Sequence, residues 1–213
     1  MSYYFERVKV NVLVLEFSLF KIRKTSTTKP SHNLSLFLSI INSLIPFYSI
    51  ETIMGIIKMS QNFTTRVAPV RLFNALIIDW LNLCPKLMFS TIESIENLEG
   101  NGEAGSIVQI NFTDACPMKF VKHHINELDK ENLRCKFTVI EGEILGDKLE
   151  SIIYEVKIGP HGSGCILKIS SEYHPHDGIE IKEEDIDAGG KDLAVGICEV
   201  VEAYLMAHPK FYL

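Results

Sequence analysis

Two patterns in this chain of 213 residues could do chemistry by residue type and spacing. The first is Gly100-Asn101-Gly102-Glu103-Ala104-Gly105-Ser106, a glycine loop of the kind that brings backbone N–H groups to a phosphate. A phosphate cradle needs Lys and Ser/Thr after the last glycine and a helix behind it. Here a strand-like run, 107–112, follows, and Glu103 puts a carboxylate where an anion would sit. Gly100, Gly102 and Gly105 are therefore read as a structural hairpin in which glycine supplies positive φ. The second pattern is His123-His124 with His174-x-His176, the residue type for a metal site. Adjacent side chains on a strand point to opposite faces. His174 and His176 share a face only if the strand runs straight past Pro175. No Cys stands near them to complete a tetrahedral set, so neither metal nor cofactor is expected. The five cysteines, at 84, 116, 135, 165 and 198, are odd in number and lack a Cys-x-x-Cys pair. They read as reduced, buried thiols of a cytosolic protein.

The elements that must hold these residues follow from periodicity. A short β-branched strand is expected at 56–65, a helix over 67–79, and a second helix over 79–88 interrupted by Pro85. Strand character then recurs at 92–98, 107–112, 118–128, 133–140, 149–158 and 165–173, separated by turn signals such as Gly159-Pro160-His161-Gly162. In 133–140, Leu133, Cys135, Phe137 and Val139 share one face, while Arg134, Lys136 and Thr138 share the other. The last element is a helix over 184–208. Leu193, Ile197, Val200 and Tyr204 form its stripe, widened by Ala194, Val201 and Leu205, and Pro209 stops it. Asp185 and Asp187 near its start and His208 at its end suit the helix dipole. Consecutive strands with hairpin-length links give an antiparallel sheet, and one long helix can lie across it; the class is α+β. A curved sheet closed by a single helix is hard to fill with side chains, so an internal apolar cavity is expected.

Charge and composition divide the chain near Met54. Residues 1–53 hold six Lys/Arg and three Asp/Glu and contain no glycine, whereas all thirteen glycines follow Met54. Residues 54–213 hold fifteen Lys/Arg and twenty-four Asp/Glu, net −9, which disfavours a polyanionic partner such as nucleic acid. The uncharged run 34–50 is only 17 residues long and carries Ser35, Ser39, Asn42, Ser43, Pro46 and Ser49, too short and polar for a membrane span. The apolar run 8–20 is broken by Glu16, against a secretory signal. Residues 1–53 are read as an extension outside the folded domain, disordered or an artefact of the assigned start, and 54–213 as the domain.

Several blocks carry a family likeness: Glu96-Asn97-Leu98-Glu99-Gly100-Asn101-Gly102, Val139-Ile140-Glu141-Gly142, Gly146-Asp147-x-Leu149-Glu150, Ile166-Leu167-Lys168-Ile169-Ser170 with Tyr173-His174, and Val201-Glu202-Ala203-Tyr204-Leu205-x-Ala207-His208. With the start Met54-Gly55, these resemble the birch pollen allergen (Bet v I) family of plant intracellular pathogenesis-related proteins over residues 54–213. The resemblance implies a helix-grip (START-like) fold: a seven-stranded antiparallel sheet wrapped round a long C-terminal helix, two short helices in a V, and an internal hydrophobic cavity. It implies a binder of amphipathic plant compounds, such as cytokinins, flavonoids, sterol-like molecules or abscisic acid, in the cytoplasm and also the nucleus, without membrane association.

By resemblance, the ligand-facing positions are Leu76, Ile92, Phe112, Met118, Phe120, Cys135, Phe137, Val156, Leu193 and Ile197. Many members carry Tyr at 120, 135 and 137, where this chain has Phe, Cys and Phe. The lost hydroxyls predict a more apolar pocket that suits ligands with fewer hydroxyls. Ribonuclease activity described for some members would fall on Glu150, Glu202 and Tyr204, as acid–base groups and their neighbour. A basic residue in that proposal corresponds to Val108 here, and the resemblance therefore leans away from an enzyme. Condensing-enzyme relatives use a cavity Tyr and Lys; Phe120 replaces the Tyr, and Arg134 and Lys136 point away from the Cys135/Phe137 face. Abscisic-acid receptors inhibit a protein phosphatase through a Ser-Gly-Leu-Pro-Ala gate, a stretch this sequence lacks. A phosphatase partner is thus implied only at family level. Entry of ligand would require the last helix to move, with Gly189, Gly190 and Gly196 as its weak points.

Overall fold

The structure, a computed structural model, describes residues 48–53, 55–183, 186 and 188–213. The calls on residues 1–47 and on Glu184, Asp185 and Asp187 lie outside the described residues. Eight strands form one antiparallel sheet: β1 (Tyr48–Ile53), β2 (Ile56–Thr65), β3 (Ile92–Glu99), β4 (Ile107–Phe112), β5 (Phe120–Asp129), β6 (Arg134–Gly142), β7 (Leu149–His161) and β8 (Gly164–Pro175). Their order across the sheet is β1-β2-β8-β7-β6-β5-β4-β3. Short links turn each strand back on its predecessor from β3 to β8, as hairpins do. The sheet has eight strands rather than the seven the resemblance implies. The eighth is β1, whose six residues pair in unbroken register with β2, from Tyr48 opposite Gln61 to Ile53 opposite Ile56.

Between β2 and β3 stand the two short helices. The expected helix over 67–79 is split: α1 (Pro69–Phe73) widens into a π turn (Asn74–Ile78), and Asp79 N–H closes that turn on Asn74 O at 2.8 Å. Pro69 starts α1, where its missing N–H costs nothing. The second helix, α2 (Trp80–Leu87), runs through Pro85 rather than breaking there. Proline removes one intrahelical bond, but the turn still closes by Met88 N–H donating to Cys84 O at 2.8 Å.

The final helix, α3 (Ala188–Ala207), begins four residues later than periodicity suggests. Gly189 and Gly190 fall in its first turn. Its deeply buried stripe is Cys198, Val201 and Leu205, rotated from the expected one. Ile197, Val200 and Tyr204 lie at the edge of that stripe, half-buried. Its C-terminus is held by Arg71 of α1. The guanidinium donates to the carbonyls of Leu205 at 3.1 Å, His208 at 2.9 Å and Phe211 at 2.9 Å. Leu205 belongs to the last turn of the helix and His208 and Phe211 to the tail beyond it, and a cation at this end also suits the dipole. Among the described residues no helix is long and apolar enough to cross a membrane.

The core is not one continuous mass. One apolar cluster gathers Ile57, Met59, Cys84, Ile92, Ile110, Phe112, Met118, Val121, Val139, Ile152 and Tyr173. A second gathers Leu72, Phe73, Leu83, Val156, Ile158, Cys165, Leu167, Cys198, Val201 and Leu205. Ile197 of α3 touches both.

Candidate functional site: the concave face of the sheet

Strand alternation decides what the concave face presents. On β4, Val108, Ile110 and Phe112 are buried, while Gln109 and Asn111 join Ser94 and Glu96 in a hydrogen-bonded row on the other face. Register carries the same parity across the sheet. Val121 pairs with Ile110, Cys135 with Val156, Phe137 with Tyr154, and Val139 with Ile152. Of the expected ligand-facing residues, Ile92, Phe112, Met118, Cys135 and Val156 are buried on this inner side, and Phe137, Leu76 and Ile197 are half-buried against the core clusters. Leu193 lies within α3, and nothing is described of its side chain.

Phe120 is the exception. It pairs with Asn111, on the polar row, and the Lys122 ammonium sits over its ring at 5.5 Å from the centroid. Lys122 in turn meets Glu141 at 2.6 Å on the outer face. Because β5 alternates with Val121 and Ile125 inward, Phe120 belongs to the opposite side from the expected pocket. A Phe or a Tyr there would not change the polarity of the concave face.

The same alternation brings in a residue that composition alone does not flag. His123 falls between Val121 and Ile125, so its imidazole points inward, while His124 points out and meets Asn126 at 3.2 Å. His123 lies nearly parallel to Trp80 of α2, with ring centroids 6.0 Å apart and planes 12° apart. It also stacks on Phe137 at 4.7 Å and 26°, and Phe137 continues to Tyr154 at 5.3 Å and 24°. Four rings from α2, β5, β6 and β7 thus form one stack on the inner side. Burial lowers the His123 pKa to about 4, so the imidazole is neutral at neutral pH. The signal was available in the sequence: an i±2 relation to Val121 and Ile125.

The glycine loop is internally closed. The Ser106 hydroxyl, buried at 2% exposure, accepts the N–H groups of Asn101 at 3.2 Å and Gly102 at 3.0 Å, and Asn101 Oδ1 accepts the Glu103 N–H at 3.2 Å. The donors a phosphate would need are already used. Gly100, with φ +78°, has no room for a side chain: a Cβ would lie 2.4 Å from Ser106 Oγ. Glu103 pairs with Lys130 at 2.7 Å.

The acidic candidates are not brought together. Glu150 is exposed at the start of β7. Glu202, with Thr64, Thr65, Arg66 and Met206, lines a surface cleft of about 450 Å³ at the far end of β2. Thr65 pairs with Cys165, and Cys165 with Pro160 of β7. Glu150 and that cleft are therefore separated by about 30 Å of strand, at roughly 3.3 Å per residue. Tyr204 is engaged elsewhere, packed on His208 at 4.4 Å and on Phe211 at 6.1 Å between centroids. All five cysteines are free, and burial pushes the Cys84, Cys135 and Cys198 thiols up to about 12. These three are protonated and poorly nucleophilic.

The model of the pathogenesis-related protein Bet v 1 family matches residues 54–208, most of the chain. The chain belongs to this family. The potato (Solanum tuberosum) pathogenesis-related protein STH-2 is 42% identical over 160 residues, covering 75% of this chain and 99% of STH-2. The crystal structure of Ara h 8.0201 superposes with TM-score 0.66 at 25% identity, over 72% of this chain and all of that one. Norcoclaurine synthase from Thalictrum flavum shares the Bet v 1 fold, with TM-score 0.60 over 86% of this chain and 96% of its own, but only 17% identity. The Bet v 1 match begins at Met54, so β1 precedes the family segment.

Proposed function

We propose that this Bet v 1 family protein is a non-catalytic carrier or sensor of a small apolar plant metabolite, acting in defence or hormone handling, with residues 54–213 as the binding unit. The observation that carries this reading is the divided core. Inward-facing Trp80, His123, Phe137, Tyr154 and Ile197 are only half-buried, although register points the strand residues among them away from solvent. A filled interior would seal such side chains, as it does Val139 and Ile152 beside them. Partial exposure on a concave apolar face is what a ligand-sized hollow produces.

Affinity would come from burial of apolar ligand surface, at about 25 cal/mol per Å² before ordering costs. The separation of Glu150 from Glu202 supports a binder over a ribonuclease, because acid–base chemistry needs both groups within reach of one substrate. The protonated thiols support a reducing compartment, and the cytoplasm, with the nucleus, is the proposed location.

Displacement of a fluorescent apolar probe by a panel of a cytokinin, a flavonoid aglycone, abscisic acid and a steroid tests the reading. Displacement at micromolar ligand is expected. A protein that binds neither the probe nor any panel member would overturn it.

A further inference from the structure

Asp79 is the single residue that joins the π turn after α1 to α2. In this N-cap position an aspartate ordinarily turns its carboxylate onto the free N–H groups of its own helix. Asp79 does not: no N–H of α2 bonds to its side chain. One carboxylate oxygen, Oδ1, accepts the Asn82 side-chain amide at 2.8 Å. The other, Oδ2, accepts the hydroxyl of Tyr212, 133 positions later in the tail beyond α3.

That tail is held by polar contacts more than by burial. Phe211 is 48% exposed and Leu213 85%. Arg71 takes the Phe211 carbonyl at 2.9 Å, and the Phe211 ring stacks on His208 with centroids 5.2 Å apart. Tyr212 between them is half-buried and packs against the second apolar cluster. Its φ is +59°, a left-handed conformation that a residue with a Cβ adopts at a cost. The packing of the ring and the bond to Asp79 offset that cost. Burial and the Asp79 carboxylate push the phenol pKa up, so the hydroxyl stays a donor across the physiological range.

What the bond restrains is a wall of the interior. Trp80 and Cys84 of α2 pack in the first apolar cluster, and Leu83 and Leu87 in the second. A π turn is a rare, widened stretch of helix that tends to fall at functional sites. Here it stands at the joint on which α2 would swing.

We infer that the Tyr212–Asp79 hydrogen bond is a latch: the tail beyond α3 holds α2 against the concave face, and release of the bond lets α2 swing on the π turn and admit a ligand while α3 stays in place. This rests on the ligand-binding reading above and adds a gate to it. The moving part is α2, not the glycines of α3.

Stopped-flow mixing of the full chain with 8-anilinonaphthalene-1-sulfonate, together with amide exchange, tests the latch in Tyr212→Phe, which removes one hydroxyl and keeps the ring. Association and release of the probe should both accelerate about ten-fold, the scale of one hydrogen bond to a charged group, and its Kd should not change. Exchange should accelerate over 80–87 and not over 201–207. Unchanged probe rates overturn the gate, whatever the exchange shows. A probe that does not bind the unmodified protein at all counts against the ligand-binding reading instead, and exchange over 80–87 then decides whether the tail restrains α2. Should Tyr212→Phe not fold, Asp79→Asn leaves a weaker acceptor in the same place. It should move the rates and the exchange in the same direction, and no change there overturns the latch equally.

Discussion

At the scale of single residues, His123 has a consequence for stability that is independent of any ligand. Its pKa is about 6.5 when unfolded and about 4 in the fold. A depressed histidine pKa means that the unfolded chain binds the proton first. Stability is full above about pH 6.5, falls as pH drops through the window, and the whole contribution is gone near pH 4. One proton gives a slope of at most about 1.4 kcal/mol per pH unit. Denaturant midpoints compared from pH 7 to pH 4.5 should show the native protein losing ground relative to His123→Phe as pH falls. Parallel curves would mean that the imidazole is not desolvated. Ser106 makes the companion case for a polar residue used structurally. Its hydroxyl closes the loop that sequence reading singles out for its glycines, and the donors are spent inside the hairpin.

At the scale of elements, α1 and α3 are tied by Arg71 more firmly than by apolar contact alone. Three carbonyls at the end of α3 and in the tail beyond it depend on that guanidinium. Replacing it by Met keeps the aliphatic stem and removes all three bonds. Arg71→Met should cost about 2 kcal/mol, the range of charge-assisted hydrogen bonds. Amide exchange should accelerate over 205–213 while the β5–β6 hairpin stays protected. Unchanged exchange in the tail would show that Tyr212, whose hydroxyl donates to Asp79, holds the segment without help. Strand β1 belongs to this scale as well. It covers the edge of β2, where unpaired N–H and C=O groups would otherwise invite another chain.

Across the whole molecule, the sheet keeps its acidic candidates at opposite ends. Glu150 sits where β7 begins and Glu202 beside the cleft formed where β2 ends. Two groups so placed cannot share a scissile bond. Any RNA cleavage by highly purified protein should therefore be unchanged in Glu150→Gln, in Glu202→Gln and in the double variant. A loss of several orders of magnitude in either single variant would restore the enzyme reading. The same long reach explains the divided core. A sheet this wide curves away from a single helix, and the apolar side chains gather into two clusters rather than one.

Much of this was legible in the chain because it is local. Alternation in 133–140 placed Cys135, Phe137 and Val139 on the inner face, glycines marked the hairpins, and Pro209 marked the helix end, all from rules that act over a few residues. The sequence blocks carried the family and hence the helix over the sheet. The rest depended on partners distant in sequence. Whether Phe120 faces in or out follows from its pairing with Asn111, and a carry-over by position assigned it to the wrong face. The stripe of α3 centres on Cys198, Val201 and Leu205, one side of the expected face, because these pack in one cluster with Leu72, Phe73 and Leu167. His123 acquired its surroundings when Trp80, 43 positions earlier, and Phe137 were brought to stack with it. Residue type and parity are written along the chain, whereas the desolvation of an imidazole and the distance between two carboxylates are properties of the space that the folded sheet encloses.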